Sequence, residues 1–387
     1  MVNSVEILMR LVGNGVLGTP LSVPAGTVMT DELLSQVFDL AKAHDIVHIV
    51  SFALDKNNLL FGSAFEGLYR EQMYDAVLKS ENQSFVLNKI CDAFEEAKIP
   101  HIPLKGSVIK ELYPESWLRT SCDIDILIHK EDLPAASEVL CKEQGFVKEK
   151  ESLHDVSFIN CDNLCIELHF TLMEKEKSKL FGKVTDRVWD FATPQGKGYR
   201  YILKNEMVYF YHLAHMVRHF RSGGCGVKSF IDLQLMINSK KYRTEEANQL
   251  LKEANLVDFA DCAEDLSKVW FCGKEHNDIT LLMEEYILAG GNFGTGQTRR
   301  KAEKQIHESE EKYILSRLFV PGVYFKNKYP IVNKYKFLLP FFQIYRIFSF
   351  AFGRKKALRK KRMEALKNIT EAENEKTERL FETLGLK

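Results

Sequence analysis

The 387-residue chain has no excess of either charge: Lys plus Arg and Asp plus Glu both number 53. No global positive field therefore argues for a nucleic-acid partner, and any basic function must be local. No apolar run is long enough for a membrane span, since the uncharged aromatic stretch from Phe337 to Tyr345 falls far short of the ~20 residues a bilayer requires. The eight cysteines lack regular spacing, and no Lys/Arg-led apolar leader precedes a small-residue cleavage site. Both absences predict a reducing cytoplasm without disulfides. Cys161 and Cys165 have no matching Cys or His pair at zinc-finger spacing. There is no internal repeat. What remains is an ordinary globular composition, 45% hydrophobic, sufficient for a substantial core and for two or three structural units.

Chemistry concentrates between His101 and Lys130. His101 to Lys105 reads as a short strand that ends at Gly106-Ser107, with helix from Val108 onward. Glycine lets the backbone approach a phosphate closely, and a helix start offers free N–H donors. Cys122 to Ile128 reads as a second strand. In it Asp123 and Asp125 stand at i and i+2, so both carboxylates project from one face. Such a pair suits a hard cation held together with substrate phosphates. Leu164 to Phe170 is another apolar strand carrying Glu167 and His169 on one face, and Glu167 is either a third metal ligand or a plain strand acid.

The order of strand, Gly-Ser turn, helix, Asp-x-Asp strand and single acid on a later strand resembles the polymerase-β nucleotidyltransferase superfamily. Leu104-Lys105-Gly106, Tyr113-Pro114, Arg119, Asp123-x-Asp125 and Glu167-Leu168-His169 more narrowly resemble the bacterial family labelled uncharacterised nucleotidyltransferase. The resemblance implies an α+β fold: a polymerase-β-like mixed sheet with helices, flanked by N-terminal and C-terminal helical units. It implies Mg²⁺ (or Mn²⁺) on Asp123, Asp125 and Glu167, with an NTP such as ATP as substrate. Lys105, Gly106, Ser107 and Arg119 would then meet the nucleotide. By the same resemblance Lys228 binds a triphosphate oxygen and Asp232 orients it, although a pair at i and i+4 also reads as a surface ion pair worth a few tenths of a kcal/mol.

Along the chain, helical patterns at residues 33–41, 46–54, 65–78 and 85–97 make 1–98 an N-terminal helical unit. A catalytic core spans 99–203, with a mixed sheet from about Ile99 to Phe191. A helical nucleotide- and acceptor-side unit spans 204–330, and an aromatic and basic tail spans 331–387. In the third unit His212, His215 and His219 share one helical face, either to ligate a transition metal or contact phosphate, or to line a groove without ligating. Arg221 to Gly226 is a turn. The glycine-rich 289–296 segment lacks a preceding strand and the Lys-Ser/Thr ending of a P-loop, which favours a domain-edge loop. In the tail, Phe337, Leu338, Leu339, Phe341, Phe342, Ile344, Ile347, Phe348, Phe350 and Phe352 precede a basic run at 354–362. This is either a peripheral membrane anchor or a segment packed on the core.

The expected activity is transfer of a nucleoside monophosphate from an NTP to an acceptor that is a small molecule, a sugar phosphate or a protein, with release of pyrophosphate. Two other classes are a catalytically silent nucleotide-binding protein and a membrane-surface accessory protein in cell-envelope or polysaccharide assembly. Retention of all three acids argues against a silent site.

Overall fold

A computed structural model describes residues 4–21, 29–173, 181–195, 198–306, 331–352 and 370–387, with residues 319, 322, 325 and 329 between them. The basic run at 354–362 lies outside the described residues.

Four helices open the chain: α1 (Ser4–Leu17), α2 (Asp31–Ala43), α3 (Val47–Lys56) and α4 (Glu66–Glu96). The Thr30 hydroxyl accepts from the Leu33 N–H and caps α2. The two helices expected at 65–78 and 85–97 are one, α4. The apolar stripe fades between Lys79 and Ser84, but those residues are adequate helix formers and no proline interrupts them.

The sheet has seven strands: β1 (His101–Pro103), β2 (Asp123–Ile128), β3 (Val147–Glu151), β4 (Asp155–Ile159), β5 (Cys165–His169), β6 (Ala192–Gln195) and β7 (Arg200–Leu203), in the order β3-β4-β5-β2-β1-β7-β6. It is mixed, β2 running parallel to β5 and antiparallel to β1. The sheet also extends past Phe191 by a hairpin, β6–β7, that pairs with β1. Alternation along the central strands explains the two faces. Ile124, Ile126 and Ile128 on β2, Ile166 and Leu168 on β5, and Val156 and Phe158 on β4 form one apolar face. Leu87, Ile90 and Phe94 of α4 cover it, with Ala136, Val139 and Leu140 from the helical segment that starts at Leu133. Each of the larger aliphatic and aromatic side chains here contributes roughly 1.5–3 kcal/mol on burial. The residues between them, Asp123, Asp125, Glu167 and His169, are thereby placed on the opposite face.

Between β1 and β2 the helix is shorter than its sequence suggests. It runs only from Gly106 to Ile109 (α5), continues as a 3-10 turn at Lys110–Leu112, and stops before Pro114. Short helices α6 (Leu133–Glu138) and α7 (Gly182–Thr185) follow at their places in the core region. Beyond β7 the chain is helical: α8 (Asn205–Arg221), α9 (Val227–Ser239), α10 (Glu245–Glu253), α11 (Val257–Cys272), α12 (Asp278–Gly290) and α13 (Gly296–Ile306). A helix at Glu371–Thr383 packs on α12 and α13. One continuous apolar core joins α1–α3 to α8, α9 and α11 and reaches the sheet through Ile102, Leu104 and Leu127. The two glycine-rich stretches pack against each other backbone to backbone: a Cβ on Gly224 would lie 2.0 Å from the Gly294 nitrogen. Residues 289–296 thus close onto the α8–α9 turn.

Candidate active site

The acidic face of the sheet forms one wall of a cavity of about 600 Å³, and the α5 turn, the loop at Arg119–Cys122, α8, α9 and the loops at Asp45 and Phe293 line it as well. Strand register fixes the acids. Asp125 pairs with Glu167 across the parallel β2–β5 ladder, and Asp123 pairs with Cys165. His169 lies two residues further along β5, opposite Leu127, on the same face. Its Nε2 is 2.7 Å from Asp125 Oδ1 and 3.4 Å from Glu167 Oε2. On the other carboxylate oxygen of Asp125 sits Lys105 Nζ, at 3.1 Å.

Lys105 reaches that oxygen from an unusual backbone, φ +41° and ψ −110°. A non-glycine residue there stores strain on the order of 1–3 kcal/mol, of the sort that gathers at functional sites. The ammonium also lies 5.7 Å from the centre of the Tyr211 ring.

Electrostatics divide the two aspartates. Burial alone would push the Asp125 carboxyl up, but Lys105 and His169 outweigh it and hold the group well below the usual carboxylate range. Burial and then the adjacent Asp125 charge push Asp123 up to about 6. Burial opposes charge on His169, yet its hydrogen bond to Asp125 carries it to about 9. The geometry also fits a cation. Asp125, Glu167 and His169 present donor atoms within 4.8 Å of one another, and the Lys105 ammonium already marks the position where positive charge is stabilised.

Arg119, expected to meet the nucleotide, is buried in the cavity wall beside it. Its Nε and Nη2 donate to Asp232 Oδ1 and Oδ2 at 3.2 and 2.9 Å, and the Tyr113 hydroxyl donates to Oδ1 at 2.6 Å. Burial disfavours the Asp232 charge, but the Arg119 guanidinium prevails and its carboxyl lies below the usual range. Lys228 and Asp232 have different partners, so the surface ion pair between them does not describe this helix: Lys228 pairs with Asp45 and donates to the Thr120 carbonyl at 3.2 Å. The space above Gly106 is occupied by the Arg119 guanidinium. A Cβ there would stand 2.9 Å from Arg119 Nη1.

The three histidines of α8 all line the cavity. His212 Nε2 bonds the Ser229 carbonyl at 2.9 Å, while His215 and His219 share a hydrogen bond, Nε2 to Nε2, at 3.2 Å. Burial, reinforced by Arg218 and Lys105, holds His219 down at about 4, and His215 is also lowered.

This acid-lined cavity on a mixed sheet is accompanied by a family match. The profile of the family described as uncharacterised nucleotidyltransferase matches residues 31–271, all of the sheet and most of the helices around the cavity. The chain belongs to this family. No curated protein matches it. Membership makes the protein a nucleotidyltransferase by descent. Among the cavity residues, Asp45, His154, Asp155, Tyr211, Asn292 and Phe293 carried no signal in the sequence. Asp45 sits on a loop between two amphipathic helices, and His154 and Asp155 stand at the start of β4, whose register could not be read from the sequence alone.

Proposed function

We propose that the chain transfers a nucleoside monophosphate from an NTP to an acceptor hydroxyl or phosphate by a two-metal mechanism, releasing pyrophosphate. The observation that carries this reading is the placement of Asp125 opposite Glu167 on adjacent parallel strands, with Asp123 two residues away on the same face. Asp123, Asp125 and Glu167 would hold Mg²⁺ or Mn²⁺, which supplies Lewis-acid polarisation of the phosphate and a lowered pKa for the acceptor hydroxyl. Glu167, more open to the cavity than Asp125, takes the acceptor proton. Gly106 and Ser107 meet the β- and γ-phosphates, and Lys105 and Arg119 neutralise charge on the leaving pyrophosphate. Asp232 orients Arg119, and Lys228 binds a triphosphate oxygen from the α9 side. In this reading 99–203 is the catalytic core, 1–98 supplies Asp45 and 204–330 forms the nucleotide and acceptor side.

We also propose peripheral membrane contact through the tail. No helix of the described residues is long and apolar enough to cross a membrane, but the helix Leu339–Phe352 presents Phe341, Ile344 and Tyr345 on one exposed stripe, with Phe337 just before it. Packing of the whole segment on the core therefore does not hold for these side chains.

The activity is tested by incubating the protein with each NTP labelled on the α-phosphate, Mg²⁺ or Mn²⁺, and lysate fractions. Label should enter one acceptor class with wild-type protein and not with Asp125→Asn. No incorporation from any NTP in any fraction would count against the reading.

A further inference from the structure

We propose that His154, Asp155 and His169 form a second metal site, for a borderline divalent transition ion such as Zn²⁺ or Co²⁺, beside the acidic site and linked to it through the His169 ring. Their donor atoms lie within 4.8 Å of one another. Neighbouring donors around such an ion keep roughly 3 Å between them when each stands ~2.0–2.2 Å from the metal, a difference that small side-chain rotations close. His154 Nε2 and Asp155 Oδ2 already stand at that spacing, 2.8 Å apart.

The outer contacts of both imidazoles match those of metal-bound histidines. A ligating histidine gives its second ring nitrogen to a carboxylate or other polar group, which fixes tautomer and orientation. His169 commits Nε2 to Asp125 at 2.7 Å. Its remaining nitrogen, Nδ1, is buried without a hydrogen-bond partner in the protein, on a side chain only 3% exposed. With no partner among the described residues, this nitrogen can give up its proton to solvent and offer its lone pair to a metal ion, so binding should release a proton. His154 in turn has Nδ1 on the Ser152 hydroxyl at 2.9 Å, which orients the ring with Nε2 beside Asp155.

The donor set separates this site from its neighbour. Two imidazoles and one carboxylate select zinc-like ions, whereas the all-carboxylate group of Asp123, Asp125 and Glu167 selects hard Mg²⁺ or Mn²⁺. His169 joins the two: an ion on its Nδ1 fixes the ring whose Nε2–H donates to Asp125. All three residues line the same cavity as the acids, so an ion has a route in. The site stands whether or not the reaction is nucleotidyl transfer.

Full-length protein, stripped with a chelator and held in excess Mg²⁺, is titrated with Co²⁺ and followed by visible absorption. One equivalent should produce a ligand-field band that Zn²⁺ abolishes. His154→Gln and Asp155→Asn should each weaken Co²⁺ at least tenfold, Ser152→Ala about tenfold through loss of orientation, and Asp123→Asn should bind as the wild type does. Near-UV circular dichroism checks folding, and Ser152→Ala decides the matter if the ligand variants unfold. Absence of the band in wild-type protein, an undiminished affinity in the variants at 152, 154 and 155, or loss of the band in Asp123→Asn would each overturn the site.

Discussion

His169 donates to Asp125 across neighbouring strands at 2.7 Å while Lys105 holds the other oxygen of the same carboxylate at 3.1 Å. Asp125 is thus held between two cations, whereas Asp123, two residues earlier on the same face, has no such pairing among the described residues and is pushed up to about 6. Neutralising one aspartate should therefore differ from neutralising the other. Asp125→Asn leaves Lys105 and His169 without their carboxylate and should destabilise the metal-free protein by roughly 3 kcal/mol. Asp123→Asn should be neutral or stabilising. Urea unfolding at pH 7 measures both, and both variants should lack transferase activity.

The same contrast has a pH signature. A carboxyl whose folded pKa is raised binds protons in the folded state before the unfolded chain does, so its unfavourable contribution is present at pH 7 and is relieved as pH falls through about 6 toward the unfolded value. The stability difference between Asp123→Asn and wild type should accordingly shrink between pH 7 and 5, by on the order of 1 kcal/mol. A difference that stays constant over this range would show that Asp123 titrates normally.

Arg119 depends on Asp232 and on the space above Gly106. Asp232→Asn removes the charge from a bidentate pair and should raise KM for NTP about tenfold or more, with Arg119→Lys behaving similarly because an ammonium cannot reproduce the fork. Gly106→Ala should give the same phenotype in milder form, because the methyl group meets the guanidinium at 2.9 Å. Steady-state kinetics on all three variants checks this. An unchanged KM in Asp232→Asn would leave Arg119 a structural role only.

Much of this site was legible in the chain. Two acids at i and i+2 in an apolar run can only share a strand face, and Glu167 on a second such run needed one pairing to join them. Other parts depended on tertiary contacts. Asp45 reaches the cavity because α2 and α3 pack on the later helices, and Arg119 finds Asp232 more than a hundred residues away. The length of α5 was overestimated because nothing local distinguishes one turn of helix from several before Pro114 stops the chain. The β6–β7 hairpin was missed since Ala192–Gln195 carries little strand propensity and gains its place by pairing with β7.

The tail gives a separate prediction. Vesicles of graded anionic lipid content should sediment the protein increasingly with anionic fraction and less with salt, and Phe337→Ser, Phe341→Ser, Ile344→Ser and Tyr345→Ser together, all at exposed positions, should abolish binding while leaving the core helix Glu371–Thr383 in place. Equal sedimentation of wild-type and substituted protein would remove the membrane role and leave the active-site account intact.

The central claim concerns which phosphate moves. Parallel reactions with NTP labelled at the α- or the γ-phosphate, once an acceptor fraction is in hand, decide it: the α label should appear in the acceptor and the γ label in released pyrophosphate. Transfer of the γ label to the acceptor would make the enzyme a phosphotransferase and contradict the account.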